Sequence, residues 1–132
     1  MKKDNLPKKE TSRISYQITR DGSKNVVVVV QGKVVDSQEA VEVLKVGDVT
    51  NNPVAYKLDQ VVFAVEKDVK VQVGWSKDGA FLPVEGRGLL NYYSFDSLHA
   101  NTPGQSLTIS ASGTGLFHIV LDCTKVERWH NG

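Results

Sequence analysis

Val69-Lys70-Val71-Gln72-Val73-Gly74-Trp75, followed by Ser76-Lys77-Asp78-Gly79, decides the fold class. Successive strand side chains point to opposite faces, so Val69, Val71, Val73 and Trp75 bury one face while Lys70 and Gln72 meet water. The Ser-Lys-Asp-Gly run behind them is a turn signal. The same grammar recurs in both directions along the chain.

Downstream of the turn, Ala80–Val84 is a shorter strand in which Pro83 predicts an edge or strand end. Upstream, Val54–Val65 is a long apolar strand, and Leu58 and Val61 break its period of two, which predicts a bend or bulge. The short link Glu66-Lys67-Asp68 predicts a hairpin between that strand and Val69–Trp75. Nearer the N-terminus, Ile14–Thr19 alternates cleanly, and Asp21-Gly22 is a tight-turn signal. Its partner Asn25–Gln31 contains five consecutive valines, so both of its faces are apolar. Such a strand is either central in a sandwich or covered by another subunit, because left exposed it invites aggregation.

Gly32–Gln38 is expected to be a connector and Ala40–Val46 a third strand. A helix from Ser37 is the alternative there, since Ala40, Val43 and Leu44 share helical spacing, but β-branched content and short length favour strand. Gly47–Pro53 is a loop with Asn51, Asn52 and Pro53 as turn formers. Glu85-Gly86-Arg87-Gly88 is expected to be a second connector, and Leu89–His99 carries no readable pattern. Ser106–Ala111 and Leu116–Val126 are expected to form a closing hairpin around Gly113-Thr114-Gly115. Seven or eight strands separated by turns predict an all-β chain. The architecture expected is a single-domain antiparallel β-sandwich, jelly-roll or Ig-like, over residues 12–132, behind a flexible N-terminal arm at residues 1–11.

A length of 132 residues suits one core that needs neither disulfide nor metal. The net charge of +1 supplies no bulk electrostatic reason to expect nucleic acid, an anionic membrane or an acidic substrate. One cysteine, Cys123, cannot form an intrachain disulfide and so argues against a disulfide-scaffold secreted protein. The N-terminal residues have no apolar stretch of signal-peptide type. The longest apolar run, Val26–Val30, is too short to span a bilayer, and a soluble protein is expected.

Candidate chemistry is sparse. His99, His118, His130 and Cys123 are the only plausible transition-metal ligands, and they lie far apart with no closely spaced pair. Strand parity places His118 and Cys123 on opposite faces, and Cys123 suits a small core position. No nucleophile-elbow pattern occurs. Gly86-Arg87-Gly88 and Gly113-Thr114-Gly115 are too short for phosphate loops and open no helix. Asp59, Glu66 and Asp68 group near one turn and suit solvated charges better than a paired-carboxylate site. Trp75, Phe81, Tyr92, Tyr93 and Phe95 lie close enough in sequence to form a sugar- or base-stacking platform, but core packing or subunit contact is the favoured reading. Trp75 and Phe81, which flank a turn, fit core packing at one end of a sandwich. The lysines of the arm, Lys2, Lys3, Lys8 and Lys9, suit a solvated tail, a phosphate contact or an arm that orders on an adjacent subunit.

Asp21-Gly22 with Asn25–Val28, Tyr56–Phe63, Val69–Trp75, Tyr93-Ser94-Phe95-Asp96 and Gly115–Lys125 together resemble a family of small virion proteins of tailed bacteriophages of the marine and cyanobacterial type. Asp21-Gly22 followed by Asn25-Val26-Val27-Val28 resembles the family's opening. Tyr56–Phe63 is similar to its strand of Lys-Ile-Asp-Lys-Ile type, and Val69–Trp75 to its Val-Arg-Ile-Leu-Trp strand. Tyr93-Ser94-Phe95-Asp96 resembles its Tyr-Ser-Asp…Phe region. Gly115–Lys125 resembles its closing Tyr-Ser-Ile-Ile-Leu-Glu-Cys-Xaa-Lys strand, with Cys123 and Lys125 in place. The likeness runs in order from Asp21 to Lys125, without the family's central Asp-Gly-Thr-Gly-Glu loop and with no counterpart for Gly32–Gln38.

The resemblance implies a non-enzymatic virion component with no catalytic, cofactor or metal residues. The expected role is capsid decoration, or cement: a trimer bound to the major capsid protein on the outer surface of the head, made in the host cytoplasm, with no nucleic-acid or membrane partner. The expected contact residues are Lys2, Lys3, Leu6, Pro7, Lys8 and Lys9 of the arm, with Tyr92, Tyr93 and Phe95. The alternatives are a neck or tail adaptor forming rings, a glycan-binding module using Trp75, Tyr92 or Tyr93, and, last, a small hydrolase.

Overall fold

The computed structural model describes residues 11–91 and 98–129. Among the described residues, ten strands follow in chain order: β1 Arg13–Asp21, β2 Asn25–Val34, β3 Ser37–Leu44, β4 Ala55–Val65, β5 Val69–Trp75, β6 Gly79–Val84, β7 Arg87–Asn91, β8 Leu98–His99, β9 Leu107–Gly113 and β10 Gly115–Val126. They build two antiparallel sheets. The larger has the order β1-β2-β10-β4-β7, with β8 beside β4, and the smaller has the order β3-β9-β5-β6. The chain is thus an all-β sandwich.

The core follows from strand parity. Val26, Val28 and Val30 of β2, Ile119, Leu121 and Cys123 of β10, and Leu58 and Val61 of β4 point inward from the larger sheet. Val69, Val71, Val73 and Trp75 of β5 meet them with Leu107 and Ile109 of β9. Lys70 and Gln72 are exposed, as alternation predicts. Trp75 stacks on Phe81 with ring centroids 5.5 Å apart, closing one end of the core. Pro83 lies on β6, an edge strand of the smaller sheet, where its missing N–H costs no ladder bond. The predicted irregularity of β4 is a bulge. Leu58 and Gln60 pair with Cys123 and Asp122, leaving Asp59 as the extra residue.

Four expectations are corrected. Gly32–Val34 extends β2, and Ser37 and Gln38 open β3, so the connector shrinks to Val35 and Asp36. Arg87 and Gly88 belong to β7, not to a connector. Neither expected hairpin across Glu66-Lys67-Asp68 or Gly113-Thr114-Gly115 forms, because each link carries the chain from one sheet to the other. The crossings sit together at one end of the sandwich and hold one another. Gly113 N donates to Asp36 O at 2.8 Å, Glu66 N donates to Leu116 O at 3.0 Å, and Leu116 N donates to Glu66 Oε1 at 2.5 Å. Ser12 Oγ anchors the start of the described chain there, accepting from Val35 N at 2.8 Å. Backbone groups that a hairpin ladder would have paired are satisfied across the crossings instead.

Candidate functional site

The outer face of the larger sheet is the surface that departs from an ordinary sandwich, whose outward positions are polar. Register sets its rows. Val29 of β2, Val120 of β10, Val62 of β4 and Leu89 of β7 are direct cross-strand neighbours, forming an apolar row over four adjacent strands. Val62 is 40 % exposed and Leu89 53 %. Val27 lies beside the row, two residues from Val29 on the same face of β2. Both faces of the valine run are therefore apolar, as its composition predicts: Val26, Val28 and Val30 fill the core while Val27 and Val29 stay half-buried on the outside.

One step toward the crossing end, the next rows are polar. Ser15, Gln31, His118, Ala64 and Arg87 form one, and Arg13, Lys33 and Leu116 the next. Here the sheet forms a trough of about 550 Å³ lined by Arg13, Lys33, Ala64, Arg87, Leu116 and His118 among others. Leu116 is 54 % exposed on its floor. Its carboxylate, Glu66, is engaged by Leu116 N. Arg13 and Arg87 form no ion pair among the described residues.

Elsewhere the polar groups act structurally. Asp59 is only 2 % exposed and accepts from Thr124 Oγ1 at 2.5 Å, so it is not the solvated charge expected. It lies away from Glu66 and Asp68, and the described residues contain no group of three His, Cys, Asp or Glu able to hold a metal ion. His118 is exposed and Cys123 buried, as parity predicts, and burial pushes the Cys123 thiol up. Burial also raises the Tyr56 phenol, whose hydroxyl donates to Lys45 O at 2.8 Å. Trp75 is core and cannot serve a sugar platform. His99 meets Trp129 edge-on with centroids 6.4 Å apart. No described helix is long and apolar enough to cross a membrane.

The expected contact residues Lys2, Lys3, Leu6, Pro7, Lys8, Lys9, Tyr92, Tyr93 and Phe95 lie outside the described residues, as does His130. The apolar row and the trough were missed by pattern reading, although the valine run pointed to one strand of the row. No protein-family model, curated protein or solved structure matches this chain.

Proposed function

We propose that this chain is a non-enzymatic docking module that works within a larger assembly, and that the assembly is the head of a tailed phage, where it decorates and stabilises the capsid. The observation that carries the reading is the apolar row Val29–Val120–Val62–Leu89 on the outside of the larger sheet. A contiguous outward apolar strip rimmed by polar residues is the property of a protein–protein contact surface. The resemblance of the segments between Asp21 and Lys125 to small phage virion proteins supplies the phage and the capsid. Several small contacts of this kind, repeated on a symmetric shell, add by multivalency.

The test is to mix purified protein with expanded phage heads lacking it and to count bound copies by quantitative gel and cryo-EM. Saturation at a symmetry-defined number, with a raised capsid melting temperature, supports cement. Absence of binding overturns the capsid reading and leaves a neck or tail ring as the docking alternative.

A further inference from the structure

We propose that the trough at the crossing end of the larger sheet holds an extended acidic–apolar segment of a partner polypeptide, with Arg13 and Arg87 taking carboxylates at its two ends and Leu116 and Ala64 supporting its apolar centre. The inference rests on the docking reading and names the chemistry of the docked partner. Its first support is charge. Arg13 and Arg87 stand on the two outer strands of the sheet, exposed and without an ion pair among the described residues, and Lys33 lies beside Arg13. Glu66, the one carboxylate lining the trough among the described residues, accepts from the Leu116 amide and offsets only one of the three positive charges of Arg13, Lys33 and Arg87.

The second support is spacing. Four inter-strand steps separate β1 from β7, placing the two guanidinium-bearing residues on the order of 20 Å apart along the surface. A small anion cannot bridge that distance, whereas roughly six residues of extended chain can, at about 3.3 Å per residue. The third support is the floor. Leu116 and Ala64 are apolar, while Ser15, Gln31 and His118 supply hydrogen-bonding groups between Arg13 and Arg87. Phe117 is turned into the core over Gly32, so it offers no ring on which a sugar or base could stack. The chain's own N-terminal residues 1–10 carry four lysines against Asp4 and Glu10, which makes them like-charged with the trough and a poor occupant.

The test pans a library of random eight-residue peptides against the immobilised full-length chain, then measures the enriched peptides in solution by fluorescence anisotropy. Enriched sequences are expected to carry acidic residues at both ends of an apolar centre and to lose affinity as salt rises. Arg13→Glu with Arg87→Glu should weaken binding at least tenfold with an unchanged melting temperature. Arg20→Glu, a single charge reversal on β1 outside the trough, should leave binding within twofold, whereas either Arg13→Glu or Arg87→Glu alone should weaken it. Enrichment of basic or uncharged sequences overturns the proposal, as does no enrichment at all. Equal binding of polyglutamate or of single-stranded DNA, or indifference to the double charge reversal, also overturns it. Heads that bind the chain while no acidic peptide does would leave the docking reading standing and the trough's role refuted. Peptide binding without head binding would do the reverse for the capsid.

Discussion

Lys125 of β10 forms an ion pair with Asp21, 104 residues earlier at the end of β1, and its side chain is only 1 % exposed. The ammonium also donates to Gly22 O at 2.6 Å and to Thr50 O at 3.1 Å. One buried cation thus ties the last strand to the first hairpin turn and to the loop before β4. A buried ammonium is tolerated only when its donors are all engaged. Lys125→Ala removes those bonds together and leaves the Gly22 and Thr50 carbonyls without their donor. It should cost about 3 kcal/mol, read as a lower urea midpoint with an unchanged slope.

The same pair makes stability depend on acid. The hydrogen bond from Lys125, and then that from the Thr50 backbone, hold the Asp21 carboxyl below its ordinary value. A lowered folded-state pKa contributes stability that is complete above the unfolded-state value and is lost as pH falls through the folded-state value. Asp21→Asn should therefore be less stable than wild type at pH 7, with the gap closing below about pH 4. Urea midpoints of both proteins at pH 7 and pH 3 check this, and a gap independent of pH would contradict it.

Gln105 is the second tie, at the opposite end from the trough. Its amide, 4 % exposed, accepts from Lys77 N and Asp78 N through Oε1 and donates to Asp78 Oδ1 and Thr102 Oγ1 through Nε2. Asp78 in turn accepts from Asn101 N at 2.7 Å, which holds its carboxyl below the ordinary value. Gln105→Leu keeps the volume but leaves the turn amides of Lys77 and Asp78 without their acceptor. The expected loss is about 2 kcal/mol, with faster amide exchange at Lys77, Asp78 and Asn101.

Two glycines with left-handed backbones separate conformational strain from steric overlap. Gly79 has φ 85° and open space around a would-be Cβ, whereas Gly113 has φ 93° and a would-be Cβ only 1.9 Å from Asp68 O. Gly79→Ala should cost about 1 kcal/mol. Gly113→Ala adds a backbone collision at the sheet crossing and should cost about 3 kcal/mol or more. Thermal unfolding of the two variants side by side decides it, and equal costs would mean that the crossing relaxes freely.

What was legible in the sequence was local. Val69–Trp75 announces itself because alternation needs only seven neighbouring residues. The bulge at Asp59 is readable because Leu58 and Val61 are both inward at odd spacing. A three-residue link serves a hairpin or a sheet crossing equally well, so its sequence does not distinguish the two. The deciding contacts, such as Gly113 to Asp36 and Glu66 to Leu116, join residues far apart in the chain. The apolar row has the same character. Val29, Val120, Val62 and Leu89 come from four strands, and only their register makes them neighbours. Arg13 and Arg87 likewise look like ordinary surface charges until the sheet order places them across one trough.

The most direct test of the docking account replaces Val62 and Leu89 together by aspartate and measures copies bound per expanded head beside the wild-type chain. Both side chains are exposed and contribute little to the core, so the double variant should fold with a melting temperature within a few degrees of wild type. The account predicts saturable binding by the wild type and loss of nearly all bound copies by the variant, since two carboxylates would have to be desolvated in the contact. A folded variant that saturates the head as well as wild type would contradict it, because the outer face of the larger sheet would then not be the surface that docks.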